Sequence, residues 1–201
     1  TAAFALPILN NLPHGKNGEG PRALILSPTR ELAQQSGNVC HSICGHTHHH
    51  VLTVVGGTKY GPQINSLKRG IDVLIATPGR LIDLMKRGVV DLRHIEVIVL
   101  DEADRMLDMG FWPAMETIVG ACPEQHQTLL FSATISKPIQ KKVTPLLNDP
   151  TFIEIAHHGE TADTVDQYVM AVTQKQKPEL LNAVLREKGA DRVIVFTRTR
   201  R

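Results

Sequence analysis

The sequence predicts an α/β fold in which helices flank a parallel β-sheet. Short apolar runs without polar alternation, such as Val97–Leu100, are typical of strands that are buried on both faces. Segments with helical periodicity separate these runs, and this alternation favours βαβ units. The 201 residues are 42% hydrophobic and 21% charged, so the chain has enough apolar side chains for one sizeable core and part of another.

The strand and helix predictions follow the chain in order. An amphipathic helical pattern occupies residues 1–12. The predicted strands are residues 23–27, 51–55, 73–76, 97–100 and 128–131, which are rich in aliphatic and β-branched side chains. The predicted helices are residues 30–43, 61–68, 80–87 and 137–147, with a further helix that begins near Ala103. Two of these helices follow a hydroxyl or a proline, which is typical of helix starts.

The pattern changes after Asn148-Asp149-Pro150. A polar stretch with few apolar residues follows, and it predicts a boundary between two domains. We expect a first domain at residues 1–157, a linker at 158–164 and the start of a second α/β domain at 165–201. In this part of the chain we predict strands at 152–155, 167–172 and 193–196 and a helix at 178–188. Because the chain begins inside a helical pattern and without methionine, we expect it to be a piece of a larger protein.

Composition gives weak limits on function. A net charge of +2 does not identify a nucleic-acid binder, so a basic surface has to come from local placement of Arg and Lys. Three cysteines fit a reducing compartment better than a disulfide framework. The sequence has no apolar stretch of membrane-spanning length and no signal-peptide pattern, so we expect a cytoplasmic protein with no membrane partner.

Three carboxylates cluster where the strand at 97–100 ends. In open α/β sheets ligands bind at the carboxyl ends of the strands. Asp101 is a candidate ligand for hydrated Mg²⁺, because hard oxygen donors suit that ion. Glu102 is then placed to orient or deprotonate an attacking water. The alternative interpretation is a solvated acidic turn, including Asp104, that caps the next helix.

Three further turns follow predicted strands. They contain Pro28-Thr29-Arg30, Gly56-Gly57 and Thr77-Pro78-Gly79-Arg80. Helix starts with free N–H groups and a neighbouring Arg favour phosphate binding, and glycine permits close backbone approach. Together the turns predict a surface for a nucleic-acid backbone, read through phosphate and sugar. The alternative for each turn alone is an ordinary capped turn.

Ser132 and Thr134 follow the strand at 128–131, beside the acidic cluster. We expect these hydroxyls to connect Asp104 to the backbone or to a second domain. Alternatively, one of them is simply the N-cap of the next helix.

Two other clusters have a plain interpretation and a functional one. The histidines of 46–50 lie near Cys40 and Cys44, which are residue types that bind zinc, but an exposed histidine cluster beside buried thiols is the simpler interpretation. Lys137, Lys141 and Lys142 form either a solvated helical face or an RNA contact, and we favour the former.

Taken together, the motifs resemble the DEAD-box family of ATP-dependent RNA helicases. The ordered set is PTRELA at 28–33, GG at 56–57, TPGR at 77–80, DEAD at 101–104 and SAT at 132–134. Residues 193–199 are similar to the family's motif IV. Single motifs are weak indicators, but this order and spacing over nearly the whole chain are specific. The sequence around DEAD and the closing FTRTR resemble most the bacterial RhlE-type branch.

The resemblance implies two RecA-like domains that close around ATP-Mg²⁺ and single-stranded RNA. It implies that Asp101 and Glu102 belong to the ATP site as metal-water ligand and catalytic base. It also implies that Asp104, Ser132 and Thr134 link the nucleotide state to domain closure. The implied RNA-backbone contacts are Pro28, Thr29, Arg30, Gly57, Thr77, Gly79 and Arg80, with Phe196, Thr197 and Arg198 on the second domain.

The family's phosphate-binding loop has the form Gly-x-Gly-Lys-Thr, and the resemblance implies that Thr1 is its last residue. The 201 residues contain no such complete loop, so we expect this polypeptide not to hydrolyse ATP. Two other functions stay open, namely a DNA helicase and a nucleotide-independent RNA-binding or scaffold module with the same fold.

Overall fold

The structure is a computed structural model that describes residues 1–14, 19–135, 137–154, 166, 168–187 and 192–197. The chain divides into two compact units, Thr1–Ile153 and Glu154–Arg201. None of the helices in these described ranges is long and apolar enough to cross a lipid bilayer.

The first unit contains a five-stranded parallel sheet. Its strands are β1 (Ala23–Leu26), β2 (Val51–Val54), β3 (Val73–Ala76), β4 (Val97–Leu100) and β5 (Gln127–Leu130). Their order across the sheet is β2-β3-β1-β4-β5, and every pair is parallel. β1 and β3 are completely buried, as the unbroken apolar sequences of these inner strands predict.

Helices connect and cover the strands. They are α1 (Ala2–Asn11), α2 (Arg30–Thr47), α3 (Tyr60–Lys68), α4 (Pro78–Lys86), α5 (Ala103–Asp108), α6 (Trp112–Gly120) and α7 (Lys137–Val143), and a 3₁₀ turn at Thr144–Leu146 follows α7. On one face of the sheet, α1 and α2 enclose a core that includes Phe4, Leu9 and Ile25. On the other face, α4, α5 and α6 pack over a core that includes Leu81 and Ile98. The RecA-like arrangement of a flanked parallel sheet is therefore confirmed.

Local chemistry explains where the helices start. Thr29 has extended backbone angles, and its hydroxyl accepts a hydrogen bond from the N–H of Leu32 at 3.3 Å, which caps α2. Pro78 occupies the first turn of α4, where a missing N–H costs nothing. For Thr29 the capped-turn interpretation is thus confirmed, and its carbonyl accepts from the N–H of Ala33 at 3.0 Å.

The first-unit elements agree with the sequence predictions to within a few residues at each end. The helix α6 was not predicted, because Pro113 and the glycines at 110 and 120 obscure its short apolar pattern. The helix predicted over 137–147 ends earlier, at Val143, and continues as the 3₁₀ turn before a proline-containing loop.

The second unit contains one helix in its described residues, α8 (Lys177–Arg186), close to the helix predicted at 178–188. The strand predictions are wrong for the described parts of 152–155, 167–172 and 193–196, which carry no strand. Ile194 and Phe196 are 81% and 91% exposed, so these apolar runs have no partner strand within the described residues, and a strand without partners is unstable. Ile155, Gln167 and the linker at 158–164 lie outside the described residues.

Candidate functional site

The strand register brings the predicted loops to one edge of the sheet. The last residue of β1, Leu26, pairs in register with the last residues of β3 and β4, Ala76 and Leu100. Ala76 pairs in turn with Val54 at the end of β2, and Leu100 pairs with Leu130 at the end of β5. All five strands therefore end side by side at their carboxyl ends. The acidic cluster and the three turns follow these ends directly, which confirms that they share one edge.

Asp101 lies at this edge, on the side that α1 covers. Its N–H continues the sheet by donating to the carbonyl of Leu26 at 2.9 Å. Burial raises the pKa of the Asp101 carboxyl above its ordinary value, and the neighbouring charge of Glu102 adds to this rise. The backbone N–H of Glu102 acts in the opposite direction without cancelling the rise.

The start of α1 lies against the same end of the sheet. The Phe4 ring packs on the Phe131 ring, with 5.3 Å between their centroids, just beyond β5. Thr1 precedes α1, and its hydroxyl lies 3.5 Å from that of Ser36. Thr1 and Asp101 therefore lie at the same end of the sheet.

Ser27 is a buried hydroxyl that sequence reasoning missed. It follows Leu26 at the tip of β1, directly beside Asp101 in the adjacent strand register. Its side chain is fully buried, and its Oγ has no hydrogen-bond partner within the described part of the chain. A buried hydroxyl without a partner is costly, so this end of the sheet is suited to a polar ligand.

Glu102 turns the chain from β4 into α5. Its φ of 51° and ψ of 54° lie in the left-handed region, which costs a residue with a Cβ about 1–2 kcal/mol. Arg105 donates from Nη1 to Glu102 Oε2 at 3.0 Å. A strained non-glycine residue at such a point is typical of a functional site.

Asp104 connects the turns that follow β4 and β5. Thr134 donates to Asp104 Oδ2 from its hydroxyl at 2.8 Å and from its backbone N–H at 3.0 Å. Ser132 donates from its hydroxyl to the carbonyl of Thr134 at 2.6 Å. Burial alone raises the pKa of Asp104, but hydrogen bonds from Thr134 and the Arg105 N–H outweigh it, so the pKa lies below its ordinary value. The predicted contact between Asp104 and the hydroxyl segment is confirmed for Thr134.

Arg30 and Gly57 form an exposed pair at the same edge. Arg30 Nη1 donates to the carbonyl of Gly56 at 3.4 Å. Gly57 has a φ of +76°, and a Cβ at this position would lie 2.3 Å from Arg30 Nη1. Glycine is therefore favoured by the backbone conformation, whereas the exposed guanidinium of Arg30 could move aside for a Cβ.

Arg80 lies elsewhere than we expected. Its side chain is only 8% exposed, whereas the sequence interpretation placed it on the surface facing RNA. Nη1 donates to Gln63 Oε1 and Nη2 to the carbonyl of Thr58, both at 3.1 Å. The guanidinium carbon lies 4.1 Å from the centroid of the Tyr60 ring. A buried guanidinium needs such partners, and these partners hold it inside the protein.

The other residues of these turns differ in exposure. Pro28 and Thr77 have buried side chains, and Gly79 is exposed at the start of α4. Sequence reasoning missed Gln63, although it precedes the core residue Leu67 by four positions, a spacing that places both on one face of α3.

The motif IV residues belong to the second unit. Phe196 is exposed, and Thr197 follows it in a segment without regular secondary structure. Arg198 lies outside the described residues.

The cysteine and histidine positions follow the simpler interpretation in part. Cys40 is buried and Cys44 half-buried, as expected, and burial raises the pKa of Cys40 to about 11.

The expectation of exposed histidines is wrong for His49, which is buried. Its ring stacks on His14, with 4.2 Å between the ring centroids, and bonds to the Leu12 carbonyl at 2.9 Å. Within the described ranges, no three His, Cys, Asp or Glu side chains are grouped as metal ligands. On α7, Lys137, Lys141 and Lys142 are exposed.

Comparison with curated proteins shows relatives along the whole chain. The ATP-dependent RNA helicase DeaD of Haemophilus influenzae is 40% identical over 202 residues, which cover 100% of this chain and 32% of that protein. The ATP-dependent RNA helicase RhlB of Pseudomonas syringae pv. tomato is 41% identical, with 98% of this chain and 51% of that protein covered. The chain thus spans about a third to a half of the length of these relatives.

Solved structures agree with the sequence relatives. A DEAD box protein from Methanococcus jannaschii superposes with a TM-score of 0.70 and 33% identity, covering 94% of this chain and 50% of that one. The yeast DEAD-box splicing factor Prp28 gives a TM-score of 0.68 and 34% identity, covering 73% of this chain and 36% of that one. A family model described as DEAD/DEAH box helicase matches residues 1–142. On this match and these relatives, the chain belongs to the DEAD/DEAH box helicase family.

Proposed function

We propose that this chain carries the ATP-binding and RNA-binding sheet edge of an ATP-dependent RNA helicase. The observation that supports it most is the register of β1 with β3 and β4. That register brings Asp101 and the turn that contains Gly79 to the same end of the sheet, with the end of β1 between them. A nucleotide and a polynucleotide can therefore bind to neighbouring loops of one rigid sheet.

The residues near Asp101 fit ATP with Mg²⁺. Asp101 and Glu102 offer hard oxygen donors, and the buried hydroxyl of Ser27 lacks a protein partner among the described residues. When bound, Mg²⁺ supplies positive charge to the phosphates. Asp101 would hold the metal through water, and Glu102 would orient or deprotonate the attacking water. Thr1 lies at the start of α1, where N–H groups favour a phosphate.

Asp104, Thr134 and Ser132 join the acidic motif to the turn that follows β5. Thr134 already bonds to Asp104 in this structure. If α5, which follows Glu102, changes position, the turn after β5 therefore moves with it. We propose that this turn communicates the nucleotide state to domain closure.

RNA binds along the other turns through its sugar-phosphate backbone. Arg30, Gly57 and Gly79 are exposed there, whereas Pro28, Thr29 and Thr77 shape the turns and Arg80 supports them from inside. Phe196, Thr197 and Arg198 contribute from the second domain. Backbone contacts of this kind predict little sequence preference and a strong dependence on salt.

The proposed domain bounds are 1–157 and 165–201, with the linker at 158–164. The division of the chain into units at Ile153 lies close to this proposal and supports it. The proposed location is the cytoplasm.

The test is ATP turnover by the full-length gene product with single-stranded RNA, single-stranded DNA or no nucleic acid. We expect RNA alone to stimulate turnover and Glu102→Gln to abolish it. Stimulation by DNA would favour a DNA helicase, and RNA binding without turnover would favour a scaffold module. The 201-residue polypeptide alone is expected not to turn over, because it has no Gly-Lys-Thr sequence.

A further inference from the structure

A buried polar cluster lies directly behind the turn at Gly56-Gly57. Gln63 is 7% exposed, and its amide nitrogen donates to the Val55 carbonyl at 3.3 Å and to the Thr58 hydroxyl. Its amide oxygen accepts from Arg80 Nη1 at 3.1 Å. The Thr58 hydroxyl in turn donates to the Val55 carbonyl at 2.9 Å. Both ends of the Gln63 amide are therefore engaged.

These contacts enclose the two glycines. Val55 precedes Gly56, Thr58 follows Gly57, and Gln63 bonds to both flanking residues. Arg80 adds a bond from Nη2 to the Thr58 carbonyl at 3.1 Å. Two glycines in sequence have wide conformational freedom, so bonds on both sides are needed to hold them in one conformation.

The outer side of Arg80 is covered as well. The Tyr60 ring lies 4.1 Å from the Arg80 guanidinium carbon and 4.4 Å from that of Arg87. Tyr60 thus packs against the Arg80 guanidinium, whose nitrogens bond to Gln63 and Thr58. Arg80 acts on the turn rather than on a ligand in this conformation.

We propose that Gln63 is a positioning residue for RNA binding, which fixes the Gly56-Gly57 turn by joining it to Arg80. The inference rests on the proposed RNA-binding function of this edge. Gln63 does not contact RNA itself. Instead, it holds the exposed backbone of Gly57 in one conformation for binding to the RNA phosphates. It also fixes the Gly56 carbonyl, which accepts a hydrogen bond from Arg30.

The experiment compares Gln63→Leu with wild type and with Gln127→Leu. Gln127 is exposed at the amino end of β5, so the same substitution there is a matched control on the opposite edge. Affinity for fluorescein-labelled single-stranded RNA is measured by anisotropy, and the amide resonances of Gly56 and Gly57 by NMR. We expect Gln63→Leu to weaken binding about five- to tenfold, the effect of losing roughly one buried hydrogen bond, and to shift both glycine resonances. Gln127→Leu changes neither.

Two different results would distinguish failure of the proposed RNA binding from failure of the positioning role of Gln63. Wild-type protein that does not bind RNA refutes the proposed function and the positioning role together. RNA binding and glycine resonances that are unchanged in Gln63→Leu refute the positioning role alone. If Gln63→Leu does not fold, Gln63→Glu replaces it, because Glu still accepts from Arg80 but cannot donate to Val55 and Thr58. The same shift of the glycine resonances and the same weakening are then expected, and their absence refutes the positioning role.

Discussion

Thr134 donates two hydrogen bonds to one oxygen of Asp104, from its hydroxyl at 2.8 Å and from its backbone N–H at 3.0 Å. Asp104 lies in the first turn of α5, after β4, whereas Thr134 lies after β5. The contact therefore ties the ends of two neighbouring strands across the sheet edge. It is the direct structural link between the acidic motif and the hydroxyl segment.

Thr134→Val removes the hydroxyl donor and leaves the backbone donor in place. We expect a loss of about 0.5–1.5 kcal/mol in the free energy of unfolding at pH 7. Because the folded pKa of Asp104 is lowered, this contribution is present above the ordinary carboxyl value and is lost as the pH falls through the folded pKa. Urea unfolding between pH 7 and pH 3 measures it, with Thr134→Ser as the control that keeps the hydroxyl. An equal loss of unfolding free energy at every pH would show that the Thr134 hydroxyl does not bond to the ionised carboxylate of Asp104.

Asp101→Asn is expected to stabilise the fold at neutral pH while abolishing ATP turnover by the full-length gene product. The folded pKa of Asp101 is raised by burial, so its ionisation costs stability as the pH rises above the ordinary value. Replacing the charge removes that cost but also removes the proposed metal-water ligand. Thermal unfolding at pH 7 measures the change, and Asp108→Asn, at an exposed position of α5, is the control. A lower melting temperature for Asp101→Asn would show that the carboxylate is stabilising instead.

Gly57→Ala is expected to destabilise the protein by about 1 kcal/mol and to weaken RNA binding. Its positive φ disfavours a Cβ, and the new methyl group meets Arg30 Nη1. Gly45→Ala, inside α2 with open space around its Cβ, is expected to be neutral or slightly stabilising. Unfolding and RNA titrations on both variants test this. RNA binding by Gly57→Ala equal to that of wild type would remove Gly57 from the proposed interface.

Arg80→Lys is expected to cost about 1–3 kcal/mol in the free energy of unfolding. An ammonium group cannot reproduce a guanidinium that bonds to Gln63 and Thr58 with two separate nitrogens under an aromatic ring. Arg87→Lys, at a more exposed arginine that also lies over the Tyr60 ring, is expected to change stability by less than about 0.5 kcal/mol. Urea unfolding of both proteins compares them. Equal effects would show that burial of Arg80 carries little energy.

The sequence predicted the sheet and the edge at which the motifs lie, because both depend on local signals. Inner strands that are buried on both faces are continuously apolar, so β3 and β4 were located to the residue. The motifs follow strand ends directly, so parallel pairing alone places Asp101 and Gly79 at one edge.

The wrong or missing predictions depend on partners that are distant in the chain. The burial of Arg80 depends on Gln63 and Tyr60, which come from a different helix. The complete burial of Ser27 at the tip of β1 depends on how other elements pack around it, which a local pattern does not reveal. The apolar run that contains Ile194 has strand-like composition, but a strand also needs hydrogen-bonded neighbours.

The central claim is that one edge of the sheet binds both the nucleotide and the RNA. Photo-crosslinking of the full-length gene product to 4-thiouridine RNA in the presence of ATP and Mg²⁺, followed by mass spectrometry, tests it most directly. We expect crosslinked peptides to contain Arg30, Gly57 or Gly79, and these crosslinks to change when Glu102 is replaced by Gln. Crosslinks confined to the opposite edge, near Glu96 and Gln127, would contradict the account.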